Sequence, residues 1–187
     1  VYGLRSTADK ESDFYKRAGI VHRLDKETSG ILLVAKTPEA FVALQAQFKE
    51  RRVKKVYIAL AHGKMEQDAG EISVPVGRLP WNRKQFGVLS GGREALTLYK
   101  VLSEYTLHGD QQNEVLSLVE LSPKTGRTHQ IRVHLQYIKH PIFADFLYAG
   151  RKTARNDRKI LSRVFLHAAY IRFTHPASGV EVSFEAP

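Results

Sequence analysis

The sequence contains no cysteine, which removes disulfides, thiolate zinc sites and thiol catalysis from consideration within this chain. It also lacks any apolar run near the roughly 18 to 20 residues of a membrane span; Ile31-Leu32-Leu33-Val34-Ala35 is typical of the longest. No basic amphipathic helix stands out, so no membrane association is expected. The opening Val1-Tyr2-Gly3-Leu4-Arg5 has neither an apolar h-region nor a small-residue cleavage site, and no secretory signal is expected. A start on valine rather than methionine suggests a piece of a longer chain. The cysteine-free composition fits the cytoplasm. Acidic residues are also scarce, 19 against 29 lysines and arginines, for a net charge of +10. For one domain this excess implies a polyanionic partner, above all nucleic acid, because neutralised phosphates release counterions. The competing reading is a surface of merely solvating cations.

What is present suits one domain with a substantial core: 187 residues, 43% hydrophobic, with no repeats and no low-complexity linker. The chain is organised around His22-Arg23-Leu24-Asp25-Lys26-Glu27-Thr28-Ser29-Gly30, where the apolar run Gly19-Ile20-Val21 enters a dense charged turn that returns into Ile31 to Ala35. Both flanking runs read as strands. Such a turn is ordinarily a solvated hairpin loop; the alternative is that Asp25, at the end of buried strands in a basic protein, does chemistry on an anionic substrate.

Val1 to Arg17 shows no sustained period and reads as a mobile arm or surface loop. Thr37-Pro38-Glu39 opens a helix, with Thr as cap, Pro at the first position and an acid in the first turn; it ends in Lys49-Glu50-Arg51-Arg52. Val53 to His62 is a strand with Lys55, Tyr57 and Ala59 on one face. Gly70 to Gly77, Gln85 to Leu89, Glu94 to Tyr105, Val164 to Phe173 and Val180 to Glu185 read as further strands. Glu114 to Ser122, apolar on both faces, is expected at the centre of the sheet. His108 to Asn113 is a polar turn. Arg127 to His140 carries Ile131, Leu135 and Ile138 at helical spacing. Leu147 to Arg163, with Arg151, Lys152, Arg155, Arg158, Lys159 and Arg163 around Asp157, reads as an exposed basic loop, either phosphate-tracking or simply solvated. The sum is an α+β fold, a large mixed, mostly antiparallel central sheet with flanking helices.

Five pieces in order resemble the RluA family of pseudouridine synthases: the Asp25 turn; Lys55-Val56-Tyr57-Ile58-Ala59-Leu60; Arg93-Glu94-Ala95-Leu96-Thr97; Ser122 to Leu135, with Gly126-Arg127-Thr128-His129-Gln130-Ile131-Arg132; and Leu166-His167-Ala168 with Thr174-His175-Pro176. The resemblance implies the pseudouridine synthase fold over residues 20–187, with 1–19 an arm or a remnant of an upstream segment. It departs at Ala144, where the family usually has glycine, and in lacking the family's upstream lysine-proline strand and the small N-terminal RNA-binding domain of some members.

By that resemblance Asp25 is the catalytic residue that breaks the bond from ribose C1′ to N1 of a uridine in rRNA or tRNA, so that the base can rejoin through C5. Attack at the sugar and proton abstraction from it both stay open. An isomerase, unlike a hydrolytic glycosidase, can manage with one carboxylate. The resemblance makes Arg132 the partner that orients Asp25, and Tyr57 the residue that stacks on uracil and later accepts the C5 proton; their plain readings are a phosphate-binding arginine and a strand-filling tyrosine. The target must be flipped out, with Arg23 filling the vacated space. His22, Arg23, Lys55, Arg127, Arg151, Lys152 and Arg155 are expected to hold RNA. No metal or cofactor is expected, and a monomer is. Two rivals are a catalytically silent RNA-binding module and a metal-dependent hydrolase using histidines with Asp25 or Asp145. The second is disfavoured because His129 and His134, five apart, do not share a face.

Overall fold

The computed structural model describes residues 12–108 and 113–187. In chain order these hold α1 (Asp13–Lys16), β1 (Ser29–Gly30), α2 (Pro38–Lys49), β2 (Lys54–His62), β3 (Ala69–Ser73), β4 (Val76–Arg78), β5 (Phe86–Val88), β6 (Leu96–Leu107), β7 (Glu114–Pro123), α3 (Gln130–Tyr137), α4 (Arg151–Asp157), β8 (Leu166–Thr174) and β9 (Glu181–Glu185). Seven strands form one sheet in the order β1-β8-β2-β7-β6-β3, with β9 also on β8, while β4 and β5 form a separate ribbon. Every pairing in the large sheet is antiparallel except that of β1 with β8, so the α+β mixed sheet read from the sequence is the one observed.

β7 lies between β2 and β6, as its two apolar faces require, and Val119 and Leu121 are fully buried. On β2 the period of two puts Lys55, Tyr57, Ala59 and Ala61 on one face. The two alanines are fully buried in a cluster with Ile131 and Leu135 of α3. Their small side chains let α3 approach the sheet, and Tyr57 and Lys55 continue that face outward. A second cluster joins Phe14 of α1, Phe41 and Leu44 of α2, and Ile171 and Phe173 of β8. The α2 cap is as expected: Thr37 Oγ1 accepts from the Ala40 amide at 3.2 Å and Pro38 occupies the first turn.

Three expectations are corrected. The runs flanking Asp25 are not strands: Ile20 and Val34 share one isolated bridge and β1 has two residues. Gly19 at φ 73° and Gly30 at φ 103° turn the backbone out of the extended region, and Val21 and Ala35 are buried by packing against the α2 side rather than by ladder pairing. The basic segment is not a loop throughout; α4 forms within it and buries Ala154 and Asp157. The arm ends sooner than expected, because α1 inserts Phe14 into the core at 2% exposure. Val1 to Glu11, the rest of that arm, and positions 109–112 of the polar turn lie outside the described residues. No helix among the described residues is long and apolar enough to cross a membrane.

Candidate active site

Both limbs of the Asp25 turn are tied to the body of the protein. On the entering limb, His22 Nε2 accepts the Leu33 amide at 2.9 Å and its ring stacks on Phe48. Burial, helped by the nearby Lys55 charge, lowers this histidine to about 4, so it is neutral with Nδ1 protonated. On the leaving limb, Ser29 Oγ meets His167 Nδ1 at 2.8 Å and the Ile31 amide donates to Ala168. A Cβ on Gly30 would lie 2.2 Å from the Ala168 carbonyl oxygen, so only glycine allows β1 to close on β8. Glu27 forms a two-toothed pair with Arg158, which also holds the Ala144 carbonyl.

Arg132, one turn into α3, reaches Asp25 through Nη1 at 3.2 Å. Its other edge is spoken for: Nε and Nη2 donate to Asp145 at 2.7 and 2.8 Å. Burial opposes a charge there, but the Asp145 hydrogen bonds and the two carboxylates outweigh it and keep the guanidinium charged. Asp145 is fully buried and also accepts the amides of Leu147 and Tyr148. Asp145 fixes the fork that in turn fixes Asp25. The signal that could have found Asp145 was its place just after His140-Pro141-Ile142; the sequence offered it only as a metal ligand of the rival hydrolase, and the residue before it as a departure from the family. That residue, Ala144, is not the simple replacement its chemistry suggests, since it sits at φ 62° with its methyl fully buried.

The pair opens into a cleft of about 540 Å³. Arg17, Arg23, Lys49, Arg51, Lys55, Arg93, Lys124, Arg127 and Arg132 line it, and Asp25 is the only carboxylate among its described lining residues. Of the expected site residues, Asp25, Tyr57, Arg132, Arg23, His22, Arg127 and Lys55 therefore converge. Arg151, Lys152 and Arg155 do not: they are exposed on α4 and line neither this cleft nor the cavity beside it. Arg127 also donates through Nε to the Glu94 carbonyl, which joins the loop before α3 to the one before β6. His22 is occupied at Nε2, which leaves only Nδ1–H for a ligand.

Burial, with the Asp25 charge, pushes the Tyr57 phenol up to about 12. It holds its proton near neutrality, which suits stacking but not acceptance of a proton. Two residues to which the sequence assigned no role in this site complete it. His129 has φ 55° and places Nε2 3.9 Å from Asp25 Oδ2 and Nδ1 2.8 Å from the Tyr148 hydroxyl. Tyr148 lies under the Arg132 guanidinium, 5.0 Å from ring centre to carbon. The signal for His129 was its place inside the motif that carries Arg132; Tyr148 lies in no motif.

The model of the RNA pseudouridylate synthase family matches residues 3–137. The chain is 46% identical over 178 residues to ribosomal large subunit pseudouridine synthase D of Neisseria meningitidis serogroup B, covering 91% of this chain and 45% of that protein. It is 40% identical over 171 residues to an uncharacterized RNA pseudouridine synthase of Bacillus subtilis, covering 91% and 52%. The chain thus spans about half the length of the curated relatives it matches. Among solved structures it resembles human RNA pseudouridylate synthase domain containing 1, with TM-score 0.78 and 34% identity over 93% of this chain and 71% of that one. Together with Asp25, Tyr57, Arg93 and Arg132 of separate motifs lining one cleft, these likenesses mean that the chain belongs to the RNA pseudouridylate synthase family.

Proposed function

We propose that this chain is the catalytic domain of an RNA pseudouridine synthase that isomerises specific uridines, using Asp25 on a flipped-out nucleotide. The observation that carries this reading is one carboxylate, held by Arg132, in a cleft whose other charged lining residues, among those described, are lysines and arginines. Cations gather phosphates, and one carboxylate suffices where nothing is lost to water. Asp25 Oδ2 takes the Arg132 hydrogen bond, and among the described residues no group bonds Oδ1. Oδ1 is the oxygen free to act at the sugar, by attack on C1′ or by taking a ribose proton. Tyr57 stacks on uracil and Arg23 fills the space it leaves. The name shared by several relatives favours large-subunit rRNA as substrate over tRNA. A cytoplasmic monomer fits a cysteine-free chain with no membrane-crossing helix among the described residues.

The test is pseudouridine formation in large-subunit rRNA transcripts and in tRNA. Asp25→Asn is expected to abolish product while binding RNA within a few-fold of the unaltered protein. Binding without product from any RNA supports instead a silent RNA-binding module.

A further inference from the structure

The isomerisation ends in a step that the Asp25–Arg132 pair does not serve. Once C5 has bonded to C1′, C5 carries both the ribose and its original hydrogen, and N1 is an imine nitrogen. The C5–H bond must then break. Its electron pair forms C5=C6, the former C6=N1 π pair moves onto N1, and N1 takes up a proton. One proton leaves carbon and one reaches nitrogen, with no change of oxidation state. The step needs a base at the cleft wall, and the candidates there are few. Asp25, which gives up its part at the sugar as C1′ joins C5, is held through Oδ2 by Arg132 at 3.2 Å, the Tyr57 phenol keeps its proton, and the lone pair of His22 is filled by the Leu33 amide.

His129 remains. It precedes α3 in a left-handed conformation that residues with a Cβ seldom adopt, a form of strain that gathers at functional sites. That backbone sets the imidazole among three neighbours: Asp25, the Tyr148 hydroxyl, and the edge of Phe86 at 5.5 Å between centres. The side chain keeps 15% exposure and lines both the main cleft and an adjoining cavity of about 360 Å³ beside Phe146 and Arg158. One face meets the substrate cleft; the other offers a way out to water.

We propose that His129 is a further catalytic residue, whose Nε2 removes the C5 proton from the rejoined base while Tyr148 orients the ring through Nδ1. In the tautomer this role requires, Nδ1–H donates to the Tyr148 oxygen, 2.8 Å away, which also accepts the Phe86 amide at 3.1 Å, and Nε2 is bare. Burial lowers the affinity of the ring for a proton at rest, so the base is neutral when needed. The imidazolium formed lies 3.9 Å from the Asp25 carboxylate, which steadies it. The proton passes to N1 or to water in the adjoining cavity, N1 takes one from either source, and the protein returns to its starting state.

This role rests on the synthase reading, and the experiment separates the two. The probe is a large-subunit rRNA transcript made with uridine carrying protium or deuterium at C5, followed under single-turnover conditions. His129→Asn keeps a residue that tolerates the left-handed backbone, and His129→Gly leaves room for added imidazole. In His129→Asn the rate is expected to fall by about 10²-fold or more with RNA binding unchanged. The residual reaction should be slower with deuterium, by a larger ratio than in the unaltered protein, and imidazole should restore turnover to His129→Gly. A rate loss with neither an added isotope effect nor imidazole rescue marks a merely structural histidine and overturns the proposal, as does unchanged turnover in both variants. An unaltered protein that makes no pseudouridine from rRNA or tRNA overturns the synthase reading itself, and this one with it.

Discussion

Arg132 shows how much one side chain is asked to do. Its planar fork meets Asp145 along one edge and Asp25 along the other, a division that a lysine, with one compact charge, cannot reproduce. Arg132→Lys is therefore expected to lower single-turnover pseudouridine formation by on the order of 10²-fold, with RNA affinity changed only a few-fold in a filter-binding titration. Ala144 offers a sharper balance. Replacing it by glycine relieves roughly 1 kcal/mol of left-handed strain but gives up a buried methyl worth about 0.8 kcal/mol. Ala144→Gly should thus unfold in urea within about 1 kcal/mol of the unaltered protein. Ala144→Val adds β-branched strain and overpacking at a site with no exposure, and should cost at least about 2 kcal/mol. At this scale the sequence was legible where a motif carried a side chain, as with Asp25, Tyr57 and Arg132. It was not legible for Asp145 and Tyr148, whose roles depend on hydrogen bonds to residues more than ten positions away.

The elements divide between those that local chemistry makes and those that neighbours make. α2 is of the first kind, announced by its Thr-Pro-Glu start, and Thr37→Ala should cost about 1 kcal/mol in urea unfolding. α4 is of the second kind. It follows Gly150 without a capping bond, and it is anchored at its far end by Asp157, which accepts from the Ala144 amide at 2.9 Å and meets His62 Nε2 at 3.0 Å. Cation density alone made that segment look like loop. His62 faces a second carboxylate, Glu114 Oε1, at 2.6 Å, stacks on Phe143, and has its carbonyl bonded by His140. Burial opposes a charge on His62, but the two carboxylates prevail and raise its proton affinity above the ordinary value near 6.5. With the folded value raised, its contribution is fully present below the unfolded pKa and is lost as pH rises through the folded one. Urea unfolding across roughly pH 6 to 9 should show stability declining on this account, and His62→Gln should remove that part of the slope.

For the whole molecule the governing quantity is the net charge of +10, much of it turned toward one cleft. RNA affinity should fall linearly on a log–log plot against salt, and neutralising a cleft cation outside the Asp25 turn, as in Lys124→Gln, should reduce the slope by about 0.7 to 1. Arg151→Gln on α4, away from the cleft, separates the two basic surfaces: an equal change would extend the RNA footprint over α4. Composition, alternation and capping by themselves determined the class of fold, the central place of β7, the α2 helix and the basic excess from which a polyanionic partner is expected, because these follow from short-range pattern and summed charge. Only the tertiary structure decided that the Asp25 turn is held by side chains rather than flanked by strands, that Asp145 aims Arg132, and that His129 stands beside the Asp25 carboxylate. Those outcomes depend on segments distant in the chain being brought within hydrogen-bond reach, and the reach is set by packing across the sheet, which no local pattern encodes.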